Sequence, residues 1–275
     1  MKVGKTGCNL CGGDQFSIVE ETEKPIYVLK CAHCGLVFVD PPPESSSLSA
    51  HYNADYYADW MGAQREKRLR MWRRRLDTIE RQSPKGNLLD VGCATGNFLH
   101  LAQNSGWTVQ GTELSPYAAS FAQDLLKTDI FCGHLMDAGY DEACFDVVTF
   151  WHVLEHLPDP MRYLQEAHRI LKPSGLLVIA VPNVDDYLMR IAYRVVKRRP
   201  LRLFTRSDRE IHLFHFSADT LRSYLDQAGF RRIVIFPDNG ITEPAKMVIN
   251  AAGVALFHVT GLRFFNALEA HAIRD

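Results

Sequence analysis

The sequence has no uninterrupted apolar stretch of the roughly 18 residues that a bilayer-crossing helix requires. Its most apolar segment, residues 247–265, is broken by Asn250, His258 and Arg263. It has no excess of either charge: 31 Lys and Arg stand against 32 Asp and Glu. Overall electrostatics therefore favour neither nucleic acid nor an acidic surface, and only local clusters carry information. The apolar core of a secretory signal is missing near Met1. These absences argue against a spanning helix and place the protein, as an expectation, in the cytoplasm. Disulfides are disfavoured there, so the seven cysteines need another use. At 275 residues the chain suits one large domain with a small appendage.

Four cysteines supply that use. Cys8-Asn9-Leu10-Cys11 and Cys31-Ala32-His33-Cys34 form paired CxxC turns, each presenting two thiolates from one tight loop. Two such turns complete a closed tetrahedral Zn2+ site, which is structural because no position is left open. Ile26 to Leu29 and Leu36 to Val39 read as strands of a zinc ribbon spanning residues 1–40. His33 reads as a solvated bystander, and Cys93, Cys132 and Cys144 as small apolar packing residues.

Residues 41–64 begin Pro- and Ser-rich and suit a linker. Residues 65–81 have helical periodicity through Leu69, Trp72, Leu76 and Ile79, with the arginines on a solvated face. Asn87 to Val91 then reads as a buried strand, Gly92-Cys93-Ala94-Thr95-Gly96 as a glycine-rich turn, and Asn97 to Ala102 as a helix. Strand, turn and helix in that order mark the place where an open α/β sheet binds a nucleotide-like ligand. The turn is not the G-x-G-x-x-G of a dinucleotide fold. Asp90 at the strand end would repel a pyrophosphate and attract a cationic sulfonium with its amino group. A second strand, Thr108 to Glu113, ends in a carboxylate about 20 residues on, the spacing for ribose hydroxyls.

These segments resemble the class I S-adenosylmethionine-dependent methyltransferases, near the ubiquinone-biosynthesis O-methyltransferases. "LLDVGCATGNFL" is similar to their first motif and "VQGTELSP" to their second; "FDVVTFWHVLEHLPDP", residues 145–160, is similar to the fourth. "LKPSGLLVIAVPN" and "HLFHFSADTLRSYLDQAGF" follow in the family's order. The resemblance covers roughly residues 85–235. It implies an α/β fold: a Rossmann-like, mostly parallel seven-stranded sheet with helices on both faces. It also implies that Asp90, Gly92 and Gly96 cradle the methionine part, that Glu113 binds the ribose and that Leu114 flanks the adenine. The family's acid near the third strand is replaced by His134 and Leu135 after Gly133.

Methyl transfer needs an in-line nucleophile, and a base only where the acceptor has a proton to lose. His152, His156 and His215 are the candidate catalytic residues, with His212 a further one. His152-Val153-Leu154-Glu155-His156 matches H-x-x-E-H. That protease motif belongs inside a helix, whereas here it follows a strand and Pro158 comes two residues later. The resemblance also implies a divalent-ion cluster at this loop, for which Glu155 and His156 are present with His152 as a third. The blander reading is that Glu155 and His156 cap the next helix.

The domain of residues 65–240 carries a basic insert near 184–211, rich in Arg and interleaved with apolar residues. Residues 241–275 read as a helical tail. Either segment suits peripheral contact with the inner face of a membrane. The reading these features favour is methyl transfer to a small-molecule acceptor, O-directed and anionic, glycosidic or lipid-linked. Deoxysugar-type C-methylation, RNA methylation through the ribbon and non-catalytic cofactor binding are the alternatives. Nucleic acid is disfavoured, because residues 8–40 carry two lysines against five carboxylates.

Overall fold

A computed structural model describes residues 7–22, 25–43, 65–205, 210–238, 240, 244–262 and 264–275. Most of the 41–64 linker, and Arg206 and Arg209 of the insert, lie outside the described residues.

The main sheet has seven strands. β4 (Asn87–Val91), β5 (Thr108–Glu113), β6 (Ile130–Cys132), β7 (Phe145–Trp151) and β8 (Leu171–Pro182) run parallel. β10 (Phe230–Pro237) and β11 (Ala267–Arg274) complete it antiparallel, in the order β10-β11-β8-β7-β4-β5-β6. β4 and β7 are buried along almost their whole length, as strands covered on both faces must be. Register sets Asp90 between Gly111 of β5 and Thr149 of β7.

The described residues form seven helices: α1 (Arg65–Glu80), α2 (Asn97–Asn104), α3 (Pro116–Leu126), α4 (Pro160–Ile170), α5 (Tyr187–Lys197), α6 (Ala218–Gln227) and α7 (Pro244–Thr260). Ser115, Asp159 and Asp186 cap α3, α4 and α5 by accepting from backbone amides, and Ser217 with Thr220 forms a capping box on α6. Asp159, and not Glu155 or His156, is therefore the cap of the helix after β7.

A second sheet joins the cysteine module to this domain. β1 (Phe16–Glu21), β2 (Tyr27–Cys31) and β3 (Val37–Asp40) form an antiparallel meander. β9 (Phe214–His215) adds to β3, with Val37 opposite His215. Leu10, Ile26, Val28 and Leu36 share one buried core with Tyr163, Leu164, Leu221 and Tyr224 beneath the main sheet. Asn9, between the first two cysteines, donates to Asp159 at 2.9 Å and accepts from the Tyr224 hydroxyl at 2.7 Å.

The segment expected as a helical tail is α7 followed by β11. β11 is buried between β8 and β10 although Glu269 and His271 interrupt its apolar pattern. The two polar groups satisfy each other, Nε2 of His271 lying 2.8 Å from Oε1 of Glu269. That pairing removes the cost of burying them. Cys93 is buried and Cys144 half-buried, but Cys132 is exposed and so is not a core packing residue. His33 is exposed.

Candidate active site

The C-terminal ends of β4 and β5 meet at the glycine turn. Gly92 and Gly96 have φ of 72° and 75°, a region that only glycine enters without strain. A Cβ on Gly92 would stand 2.6 Å from Val153. The Gly92 and Cys93 amides donate to the Thr112 carbonyl, which ties the turn to β5.

Two buried carboxylates line this turn. Asp90 accepts from the Thr149 hydroxyl at 2.6 Å. Glu113 accepts from the amides of Ala94 at 2.9 Å and Ser115 at 2.8 Å. Burial raises the Asp90 carboxyl to about 7; Thr149 opposes the rise, Glu113 adds to it and Arg75 opposes it. Leu114 is exposed next to Glu113. Gly133 donates to the Glu113 carbonyl, so His134 and Leu135 leave the neighbouring strand end. His134 is exposed, its Nδ1 2.5 Å from the Tyr163 hydroxyl, and Leu135 is buried.

β7 ends at Trp151, and His152 follows with φ of 56°, an uncommon conformation for a residue with a side chain. The next three residues, Leu154–His156, form a 3-10 turn and not an α-helix, so the H-x-x-E-H spacing has no protease geometry here. His152 Nε2 lies 3.2 Å from Oδ2 of Asp238, and its Nδ1 lies 3.7 Å from Oε1 of Glu155. Burial alone would lower its pKa, but the neighbouring carboxylates of Asp238 and Glu155 raise it to about 9.

Glu155 is buried, and among the described residues neither of its carboxylate oxygens has a hydrogen-bond partner. Ligand atoms of Glu155, His156 and His212 lie within 4.8 Å of one another. His156 Nδ1 sits 2.7 Å from the Ile211 carbonyl. That carbonyl accepts, so Nδ1 carries a proton and Nε2 is the nitrogen turned toward Glu155, 4.0 Å away. Burial would raise Glu155, yet His152, His156 and His212 bring it below the usual carboxylate range. His215 is buried on β9 with Nε2 unpartnered among the described residues. Burial, then the nearby charges of His212 and Arg190, lower it to about 3, which keeps it neutral.

Two participants carried no legible signal. Arg75, expected on a solvated face of α1, is buried and donates to Asp238 at 2.6 Å. Its guanidinium lies 4.3 Å from the centre of the Trp151 ring and 5.0 Å from that of Trp72. Flat aromatic walls shelter the cation there, and Asp238 supplies its counter-charge. Nothing in an arginine-rich run distinguishes this arginine, and Asp238 is 163 positions away.

The four cysteines converge as the paired turns require. Cys8 and Cys34 sulfurs lie 3.5 Å apart, Cys11 and Cys31 sulfurs 3.6 Å apart, and all four within 4.8 Å. A tetrahedron of thiolates about 2.3 Å from a Zn2+ ion has edges near 3.8 Å.

The sequence profile of a methyltransferase domain matches residues 61–234, well over half the chain. The chain belongs to the methyltransferase-domain family. A protein of Mycobacterium tuberculosis named as a probable S-adenosylmethionine-dependent methyltransferase is 26% identical over 209 residues, 74% of this chain and 65% of its own. A ubiquinone biosynthesis O-methyltransferase of Coxiella burnetii is 32% identical over 116 residues, 40% of this chain and 50% of its own. The chain thus spans less than two thirds of the length of each relative. Geranyl diphosphate C-methyltransferase from Streptomyces coelicolor has the same fold, with a TM-score of 0.58 at 16% identity over 85% of this chain and 87% of that one. The methyltransferase domain is the seven-stranded unit described above, and the profile stops short of β11.

Proposed function

We propose that the chain transfers the methyl group of S-adenosylmethionine to an oxygen of an anionic, glycosidic or lipid-linked small molecule. The observation that carries the cofactor is the Asp90–Glu113 pair. Two carboxylates buried at one turn resist joint ionisation. A ligand with ammonium and sulfonium charges relieves that resistance, which fits the donor set to this cofactor. Gly92 and Gly96 let the backbone come close to it, Glu113 serves its ribose, and Leu114, His134 and Leu135 border the adenine side. When bound, the cofactor supplies an electrophilic methyl group.

Around the acceptor, His152 is held between the carboxylates of Asp238 and Glu155. Arg190 near His215 favours an anionic acceptor. His215 stays neutral and can exchange a hydrogen bond with an uncharged hydroxyl. Glu155, His156 and His212 form a two-imidazole, one-carboxylate set suited to a divalent ion. Such an ion would supply a Lewis acid for an acceptor oxygen. The cysteine cluster is suited to one structural Zn2+ ion. Burial raises the Cys8 thiol to about 11 and Cys34 further, so thiolates there need a cation.

Glu113→Ala is expected to weaken S-adenosylmethionine binding at least tenfold by calorimetry, about 1.4 kcal/mol; unchanged affinity refutes the cofactor assignment. Separately, Mn2+ should bind the full chain and fail to bind Glu155→Gln. Equal binding by both proteins removes the divalent ion and leaves the cofactor reading standing.

A further inference from the structure

Helices α5 and α7 pack on each other, and the rings of Tyr187 and Phe264 lie 5.2 Å apart. Each still leaves aliphatic side chains in water. On α5, Ile191, Val195 and Val196 are 61%, 72% and 74% exposed; on α7, Val248 and Val259 are 72% and 84% exposed. One exposed valine is ordinary on a soluble surface. Five such residues on two packed helices mark an interaction surface. Ile191 and Val195 are one helical turn apart and so share a face.

The same segment is strongly basic. Residues 187–202 hold Arg190, Arg194, Lys197, Arg198, Arg199 and Arg202 and no carboxylate. Among the described residues Arg194, Lys197 and Arg198 form no ion pair, and all three are exposed. The carboxylates Asp185 and Asp186 stand only at the N-terminal end of α5, where Asp186 caps it. Cations interleaved with exposed methyl groups match the two layers of one partner: anionic headgroups, and the acyl boundary just below them. A nucleic acid would engage the cations and leave the valines in water.

We propose that the α5–α7 surface docks the protein on an anionic lipid bilayer. Topology gives the docking an orientation. α5 begins just after β8 ends at Pro182, and α7 leads into β11, whose Ala267 pairs with Pro182. Both helices therefore stand at the sheet edge where β4, β5 and β7 deliver the glycine turn and the histidine cluster. The docked molecule turns that edge toward the headgroups. The inference is independent of the reaction proposed above.

The test is flotation of the full chain with vesicles of phosphatidylglycerol and phosphatidylcholine, against vesicles of phosphatidylcholine alone. Retention is expected on the anionic vesicles only, with release as salt rises. The triple variant Arg194→Ala, Lys197→Ala, Arg198→Ala should lower partitioning at least about tenfold. Ile191→Ser with Val195→Ser should also lower it and keep the salt dependence. All five side chains are exposed, so melting temperatures should match the parent. Absence of retention at low salt, equal retention on uncharged vesicles, or variants that bind like the parent each overturn the proposal. Preferential capture of an RNA oligonucleotide, or a dimer lost on Val195→Ser without vesicle binding, overturns it as well. No methyl transfer is read, so failure here leaves the catalytic reading intact.

Discussion

Asp90 faces opposed demands: its burial favours the neutral acid, while a cationic ligand favours the carboxylate. Its folded pKa of about 7 lies above the ordinary value of 3.8. The native state therefore holds a proton that the unfolded chain has already lost between those two values. The stability this group contributes is complete below about pH 4 and is lost as pH rises through 7. A cationic ligand reverses the preference. The melting-temperature increase given by S-adenosylmethionine should thus grow between pH 6 and pH 8, and Asp90→Asn should flatten that growth in thermal scans. An increase independent of pH in the parent protein would separate Asp90 from the ligand's charge. The turn that brings Asp90, Gly92, Gly96 and Glu113 together was legible because strand, turn and helix are contiguous in sequence. Arg75, Asp238 and the role of His212 were not. They are joined by charge pairing across long stretches of chain, and charge pairing leaves no periodicity. The place of His152 at the end of β7 was legible, but its pairing with Asp238 was not, because 86 positions separate the two.

Secondary-structure elements were read most faithfully where two signals agreed. α6 starts at Ser217, where a capping residue precedes an apolar periodic run, whereas Ser115 and Asp159 cap α3 and α4 without having been read as caps. β11 had one signal against it, since Glu269 and His271 look like surface residues until their mutual hydrogen bond is seen. The cysteine turns were legible from spacing alone, although spacing gave no hint that β3 would pair with β9. That pairing makes the metal prediction sharper. Purified protein should carry about one zinc by elemental analysis, and Cys31→Ser should abolish it. Because Val37 lies opposite His215, the same variant should also perturb the His212 and His215 imidazole resonances in NMR spectra. Zinc lost with those resonances unmoved would mean that the two sheets are mechanically independent.

At the scale of the molecule, two sheets share one core, and the stretch of motifs is only part of it. The parallel strands β4 to β8 agree with the mostly parallel sheet that the family resemblance implied. The antiparallel margin did not follow, because β11 enters the sheet out of sequence order. No helix among the described residues is long and apolar enough to cross a membrane.

The position of β11 bears on how the chain matures on the ribosome. β8 and β10 emerge first, and neither has its neighbour on that side. Until residues 267–274 are released, the backbone amides and carbonyls along β8 are a bare rim open to other nascent chains. Closure is a late, non-local event, and long-range strand insertion is slow. A fragment ending at residue 234, where the recognisable domain stops, keeps the motifs and loses the strand that seals them.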